Sequence, residues 1–293
     1  MRRIMGVMGY VAGAVVLLVV VGYGAAFAVS SRKLAEKHDV TLTTVVLPTD
    51  ESSIAWGSHL VNAVTGCQDC HGSDLSGRVM SDDAVALMTA PNLTSGRGGI
   101  GGELSEGDWV RAIRHGVRRD GRSLLVMPSY AYARLSDRDL GAMVAYLKQI
   151  PPMDNEVPAF KLRPLGRVLL AAGPLDGELV ARKASLLAPS DAIEPGLSLE
   201  YGQYLATISG CTSCHGPDLK GGPSGPPDAP PATDISPNAL AAWNIQDFVQ
   251  VMREGRRPDG SSISDYMPWR VMGAMTDDEL GAIWLFLSNL PQN

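Results

Sequence analysis

All four cysteines of the 293-residue chain fall in two Cys-x-x-Cys-His runs, Cys67-Gln68-Asp69-Cys70-His71 and Cys211-Thr212-Ser213-Cys214-His215. Two thiols separated by two residues can form thioethers to the two vinyl groups of one porphyrin. The adjoining histidine can then reach the iron as a strong-field nitrogen ligand. The pattern predicts two covalently attached haem c groups. A lone Cys-x-x-Cys is also compatible with a dithiol redox pair, a disulfide or half of a zinc site. A zinc site would have to draw on both pairs, and it would leave two matched histidines without a reason.

A haem that only carries electrons needs a sixth ligand, and a methionine thioether opposite histidine stabilises Fe(II). Of the 12 methionines, only Met127 and Met267 are followed by proline. They stand 56 and 52 residues after His71 and His215, in equivalent places, and both are expected as distal ligands. Met80, Met88, Met143 and Met272 read as core filler. His115, twelve residues before Met127, is the rival ligand for the first haem, although its counterpart is Glu254. Trp109, Arg111, Arg114 and Arg118 are equally readable as propionate contacts or as a solvated helix face. His38 and His59 have no partner in the repeat and read as bystanders. No Gly-rich phosphate loop, G-x-S-x-G or H-E-x-x-H accompanies these residues, so no catalytic residue is expected.

These side chains sit in an internal repeat. Trp56-Gly57-x-x-Leu60 precedes the first haem motif as Tyr201-Gly202-x-x-Leu205 precedes the second. The match resumes at Trp109-Val110-Arg111 against Phe248-Val249-Gln250 and runs to the two Met-Pro pairs. Each copy ends with a capping-box pattern, Ser136-x-x-Asp139 and Thr276-x-x-Glu279. Leu140, Met143, Val144 and Leu147 then share one helical face, as do Leu280, Ile283, Trp284 and Leu287. Pro151 and Pro291 close these helices. The units are expected at 47–152 and 197–293. The intervening 153–196 is a Pro/Gly-rich linker with an apolar patch at Val168 to Ala172, either an ordered tether across one unit or a flexible connection. Stretches 95–102 and 221–231 read as loops, and no sustained period-2 pattern predicts a large sheet.

Ile4 to Val29 carry no charge, a run of 26 residues against the roughly 20 that span a bilayer. Arg2 and Arg3 in front of it suit a cytoplasmic N-terminus. Residues 1–30 are thus expected as a transmembrane anchor, or as a secretory signal cleaved after Ala26-Phe27-Ala28. Either reading exports the rest. The formal charge of −6 argues against nucleic acid as a partner. Aromatic content is only 6%, so a large flat cofactor would supply missing apolar core.

Both repeats resemble class I cytochrome c domains, with Gly57/Leu60 and Gly202/Leu205 on the first helix and Tyr146 and Phe286 on the last. The run Ala90-Pro91-Asn92-Leu93-Thr94, followed by Arg114-His115-Gly116-Val117-Arg118 and Met127-Pro128, resembles the cytochrome subunits of membrane-bound alcohol and gluconate dehydrogenases. The second repeat departs from it, with Thr233-Asp234-Ile235 in place of Pro-Asn-Leu, and the chain has two haem motifs where those subunits usually carry three. The resemblance implies a mainly α fold: two tandem class I cytochrome c domains behind a transmembrane helix. It implies an electron carrier on the periplasmic side of the cytoplasmic (inner) membrane. Such a carrier would relay electrons between a dehydrogenase or quinol-oxidising complex and a terminal oxidase or reductase. The alternatives are a dihaem enzyme such as a cytochrome c peroxidase, which needs an open iron, and a haem-based gas sensor.

Overall fold

The computed structural model describes residues 2–223 and 229–291, with side chains from residue 7 onward. Met1, the 224–228 part of the loop expected at 221–231, and the last two residues of the second unit lie outside the described residues. The fold is mainly helical.

Residues Arg2–Ala35 form one helix, α1, of 34 residues. It runs past Ser30 because Arg32 and Lys33 in its last turn complement the carbonyl end of the helix. Its Val7–Ala35 stretch is long and apolar enough to cross a membrane, and the most apolar 18-residue window in it is not covered by the rest of the protein.

The first unit contains α2 (Glu51–His59), a π-helical turn (Leu60–Val64) and α3 (Cys67–His71). Strands β1 (Arg78–Asp82) and β2 (Ala86–Ala90) follow, then α4 (Glu106–His115), α5 (Ser129–Tyr132) and α6 (Asp137–Leu147). Asp50 caps α2 and Ser105 closes a reciprocal capping box on α4. α2 lies directly across α6. A Cβ on Gly57 would come within 2.0 Å of the Ala142 carbonyl oxygen, so only glycine permits this crossing. The unit's packing starts earlier than residue 47: Val45 is buried and Thr43 accepts a hydrogen bond from Arg114.

The linker is laid over the first unit. Met153 and Asn155 accept hydrogen bonds from Asn92 through their carbonyls. Strand β3 (Lys161–Leu162) pairs with β2, completing a small antiparallel sheet of order β1-β2-β3. Helix α7 (Pro164–Ala172) packs on α1, and α8 (Ala181–Ala184) on α4 and α5.

The second unit repeats the first: α9 (Leu199–Ile208), α10 (Cys211–His215), α11 (Ile245–Glu254), α12 (Trp269–Met272) and α13 (Asp277–Ser288). Gly202 under the Ala282 carbonyl reproduces the tight crossing, with a hypothetical Cβ at 1.9 Å.

The two units clasp each other by exchanging equivalent contacts. His59, at the end of α2, directs Nε2 to both carboxylate oxygens of Glu279 in the second unit, at 2.9 and 2.8 Å. Tyr204, the matching residue of α9, donates to Asp139 of the first unit at 2.6 Å. Within their own units Trp56 donates to Asp139 at 2.8 Å and Tyr201 to Glu279 at 3.4 Å. His59 is therefore no bystander. The capping box at Thr276 and Glu279 closes reciprocally. The one expected at Ser136 closes only halfway, because the Ser136 N–H goes to the Tyr204 hydroxyl and Asp139 serves Trp56 and Tyr204. One apolar core runs through both units, from Leu60 and Met143 to Leu205 and Leu280.

Candidate haem-attachment sites

Each Cys-x-x-Cys-His run is a single helical turn entered through a left-handed glycine, Gly66 at φ 64° and Gly210 at φ 81°. Residues three apart share a helix face, so one turn presents both sulfurs to the same side. Burial pushes the Cys67 thiol up to about 11 and raises Cys70, Cys211 and Cys214 as well. Among the described residues no three His, Cys, Asp or Glu side chains converge as a metal cluster. Thr65 sits 3.3 Å from the Cys67 sulfur, and its counterpart Ser209 lies 3.6 Å from that of Cys211.

The histidines are held alike. His71 Nδ1 lies 2.8 Å from the Pro91 carbonyl oxygen and His215 Nδ1 lies 2.7 Å from that of Thr233. A carbonyl can only accept, so Nδ1 carries the proton and the Nε2 lone pair is left for a metal. Burial lowers the pKa of His71 while the Pro91 bond opposes it, and the net effect favours the neutral, ligating form. The replacement of Pro-Asn-Leu by Thr-Asp-Ile in the second repeat leaves this arrangement intact, because a backbone carbonyl is the acceptor. The turns also match: Asn92 Oδ1 accepts from the Thr94 N–H at 2.9 Å and Asp234 Oδ1 from the Ser236 N–H at 2.8 Å.

Met127 and Met267 each precede the proline that caps a short helix, α5 and α12. Both are partly buried against the same core as Cys67 and Cys211. Val126 has a left-handed backbone at φ 70°, and its N–H is held by the Glu178 carbonyl of the linker. Leu75 and Leu219, four residues after their histidines, share φ 60° and are both buried. Left-handed leucine costs about 1–2 kcal/mol, and its recurrence at equivalent positions marks a geometry that the surroundings impose.

Arg114 spends both terminal nitrogens inside the protein, and only its Nε is left without a partner among the described residues. It is buried and bonded to Asp137, Thr43 and the Leu135 carbonyl, fastening α4 to the start of α6. Arg253 repeats this role toward Asp277 at 2.8 Å and the Gly273 carbonyl. Arg111 is paired with Asp108. The Trp109 indole N–H, the Trp269 indole N–H and His115 Nε2 are also buried without a partner among the described residues. A buried donor without a partner costs about 1–3 kcal/mol. Three such groups in the regions flanking the sites fit an anionic or metal-bearing group that satisfies them.

Residues 53–147 match the family described as cytochrome c oxidase, cbb3-type, subunit III, and residues 199–291 match the family described as cytochrome c. Both units are cytochrome c domains. The chain is 25% identical, over 83% of its length, to the cytochrome c subunit of a quinone-dependent alcohol dehydrogenase from Gluconacetobacter polyoxogenes. It is 25% identical over 85% of its length to the gluconate 2-dehydrogenase cytochrome c subunit of Pantoea cypripedii. These matches take in 57% and 63% of the two relatives, so the chain spans less than two thirds of their length. A diheme cytochrome c-type protein of Cereibacter sphaeroides is 27% identical over 77% of this chain and 82% of its own. The two cytochrome c domains hold two covalently bound haem c groups, the cofactor of electron transfer.

The sequence did not single out the residues that brace these sites, namely the carbonyls of Pro91 and Thr233 and the hydroxyls of Thr65 and Ser209. Each pair occupies equivalent positions in the repeat, which is the signal that could have found them.

Proposed function

We propose that the chain relays electrons at the extracytoplasmic face of the cytoplasmic membrane, anchored there by α1. His71 and Met127 ligate the first haem iron, and His215 and Met267 the second. A membrane-bound dehydrogenase or a quinol-oxidising complex supplies the electrons, and a terminal oxidase or reductase receives them. The bound haem supplies a one-electron Fe(III)/Fe(II) couple in each domain. The chain's own residues fix Nδ1–H of each histidine on a carbonyl, exclude water with the buried leucines Leu75 and Leu219, and keep the two domains in one mutual arrangement through the Asp139 and Glu279 clasp.

The observation that carries this reading is the matched buttressing of His71 and His215 in two domains whose only Met-Pro pairs occupy equivalent positions. Two closed irons in tandem suit electron transfer, whereas a peroxidase needs one open coordination position. The visible spectrum of the dithionite-reduced holoprotein, taken before and after carbon monoxide, tests it. An unchanged low-spin spectrum supports two closed irons. Stoichiometric binding of carbon monoxide at one haem overturns the assignment there and favours an enzyme.

A further inference from the structure

Helix α7 turns an apolar stripe outward. Leu165, Val168, Leu169 and Ala172 follow the i, i+3, i+4, i+7 spacing of one helical face. Leu165 is 46% exposed and Val168 39%. The opposite face is fully used: a Cβ on Gly166 would stand 2.2 Å from the Val85 carbonyl, and Leu170 is buried. So the outward stripe is not a packing error of a loose element, and it is unpartnered within the chain.

Its height along α1 says what covers it. Arg167 lies over the Phe27 ring at 4.9 Å and donates to Ser31 Oγ at 3.2 Å. Lys33 Nζ donates to the Leu170 carbonyl at 2.9 Å and to Asp176 at 2.8 Å. α7 is thereby fixed at the level of Phe27 to Lys33. At 1.5 Å per residue, Val7 to Phe27 covers about 30 Å, the thickness of the hydrocarbon layer. α7 then falls in the headgroup layer, directly beside the exit of α1.

The charge there also fits. In a chain of net charge −6, the end of α1 and its contacts bring together Arg32, Lys33, Arg167 and Arg182 against two carboxylates, Glu36 and Asp176. Arg182 pairs with Glu36 and Lys33 with Asp176, while Arg32 and Arg167 have no ion-pair partner among the described residues. Arginines without a carboxylate partner at a membrane surface attract anionic lipid headgroups.

We infer that α7 is an interfacial helix whose Leu165/Val168 face is seated in the anionic lipid surface around α1. This gives the haem domains a second attachment and a set orientation toward the membrane. The inference rests on α1 spanning the bilayer.

The test uses full-length holoprotein in nanodiscs of phosphatidylcholine with phosphatidylglycerol. All four native cysteines are thioether-bound in the holoprotein, so single variants Leu165→Cys, Val168→Cys, Leu18→Cys and Leu199→Cys each carry one nitroxide. Collision with oxygen against a water-soluble nickel chelate reports depth. Labels at 165 and 168 should favour oxygen as the label at 18 does, and several-fold more than the similarly exposed site at 199 on α9. Nickel-favoured labels at 165 and 168 with a lipid-like label at 18 overturn the interfacial helix and leave the anchor standing. A nickel-favoured label at 18 overturns the anchor itself, and the inference with it.

Discussion

His71 and His215 show how little of a side chain's task its own type reveals. Cys-x-x-Cys-His names the cofactor, but the orientation of each ring is set by a carbonyl twenty and eighteen residues downstream. Two residue-level outcomes are expected. Met127→Ala should make the reduced first haem bind carbon monoxide while the second stays closed, and Met267→Ala should do the converse; titration of the difference spectrum counts the open sites. Trp109→Phe keeps an aromatic ring but removes the buried, unpartnered N–H. If that N–H serves a propionate, losing it leaves more negative charge near the iron and lowers the first haem's potential alone, with little change in folding. Equal potentials in Trp109→Phe and the parent would exclude that role. Arg114 misled the sequence reading because a buried arginine at a helix end looks the same whether it binds a carboxylate of a cofactor or of Asp137.

Among the elements, the caps were legible because capping is local: Ser136, Thr276 and their helices lie where the hydroxyl-to-N3 spacing puts them. The small sheet was not, since β3 is two residues long and exists only because the linker passes beside β2. The π-helical turn at Leu60–Val64 likewise has no counterpart in the continuous α9, although the repeat matches Leu60 with Leu205. The α2–α6 crossing gives the sharpest element-level test. Gly57→Ala places a methyl against the Ala142 backbone, which cannot rotate away. A loss of about 1–3 kcal/mol is expected, read as a lower melting temperature of the protein. Gly202→Ala, under the Ala282 carbonyl, should do the same.

For the molecule as a whole, the decisive feature is the exchange of His59 and Tyr204 between the capping carboxylates. Glu279 is almost fully buried, and His59→Ala removes a hydrogen-bond partner from it. A cost of about 1–3 kcal/mol is expected, with calorimetry showing the two domains unfolding in separate steps. Burial pushes the Glu279 carboxyl up, but the His59 bond and the Thr276 backbone N–H outweigh it and hold the group below its ordinary range. A depressed carboxylate contributes stability that is fully present above its unfolded value of about 4.3 and is lost as pH falls through the lower folded value. Domain coupling should therefore hold at neutral pH and weaken below about pH 4, with a smaller acid dependence in Glu279→Gln.

By itself the sequence determined the chemistry and the repeat: two haem motifs, two Met-Pro pairs, the helix caps and an apolar N-terminal run. All of these are written in spacings of a few residues, or in a match between two copies of one unit. The tertiary structure alone decided that the linker is part of the first unit, that α7 stands beside the end of α1, and that His59 reaches Glu279 across 220 positions. Those contacts join residues with no local periodicity between them, so they arise only when the two units and the linker fold against one another.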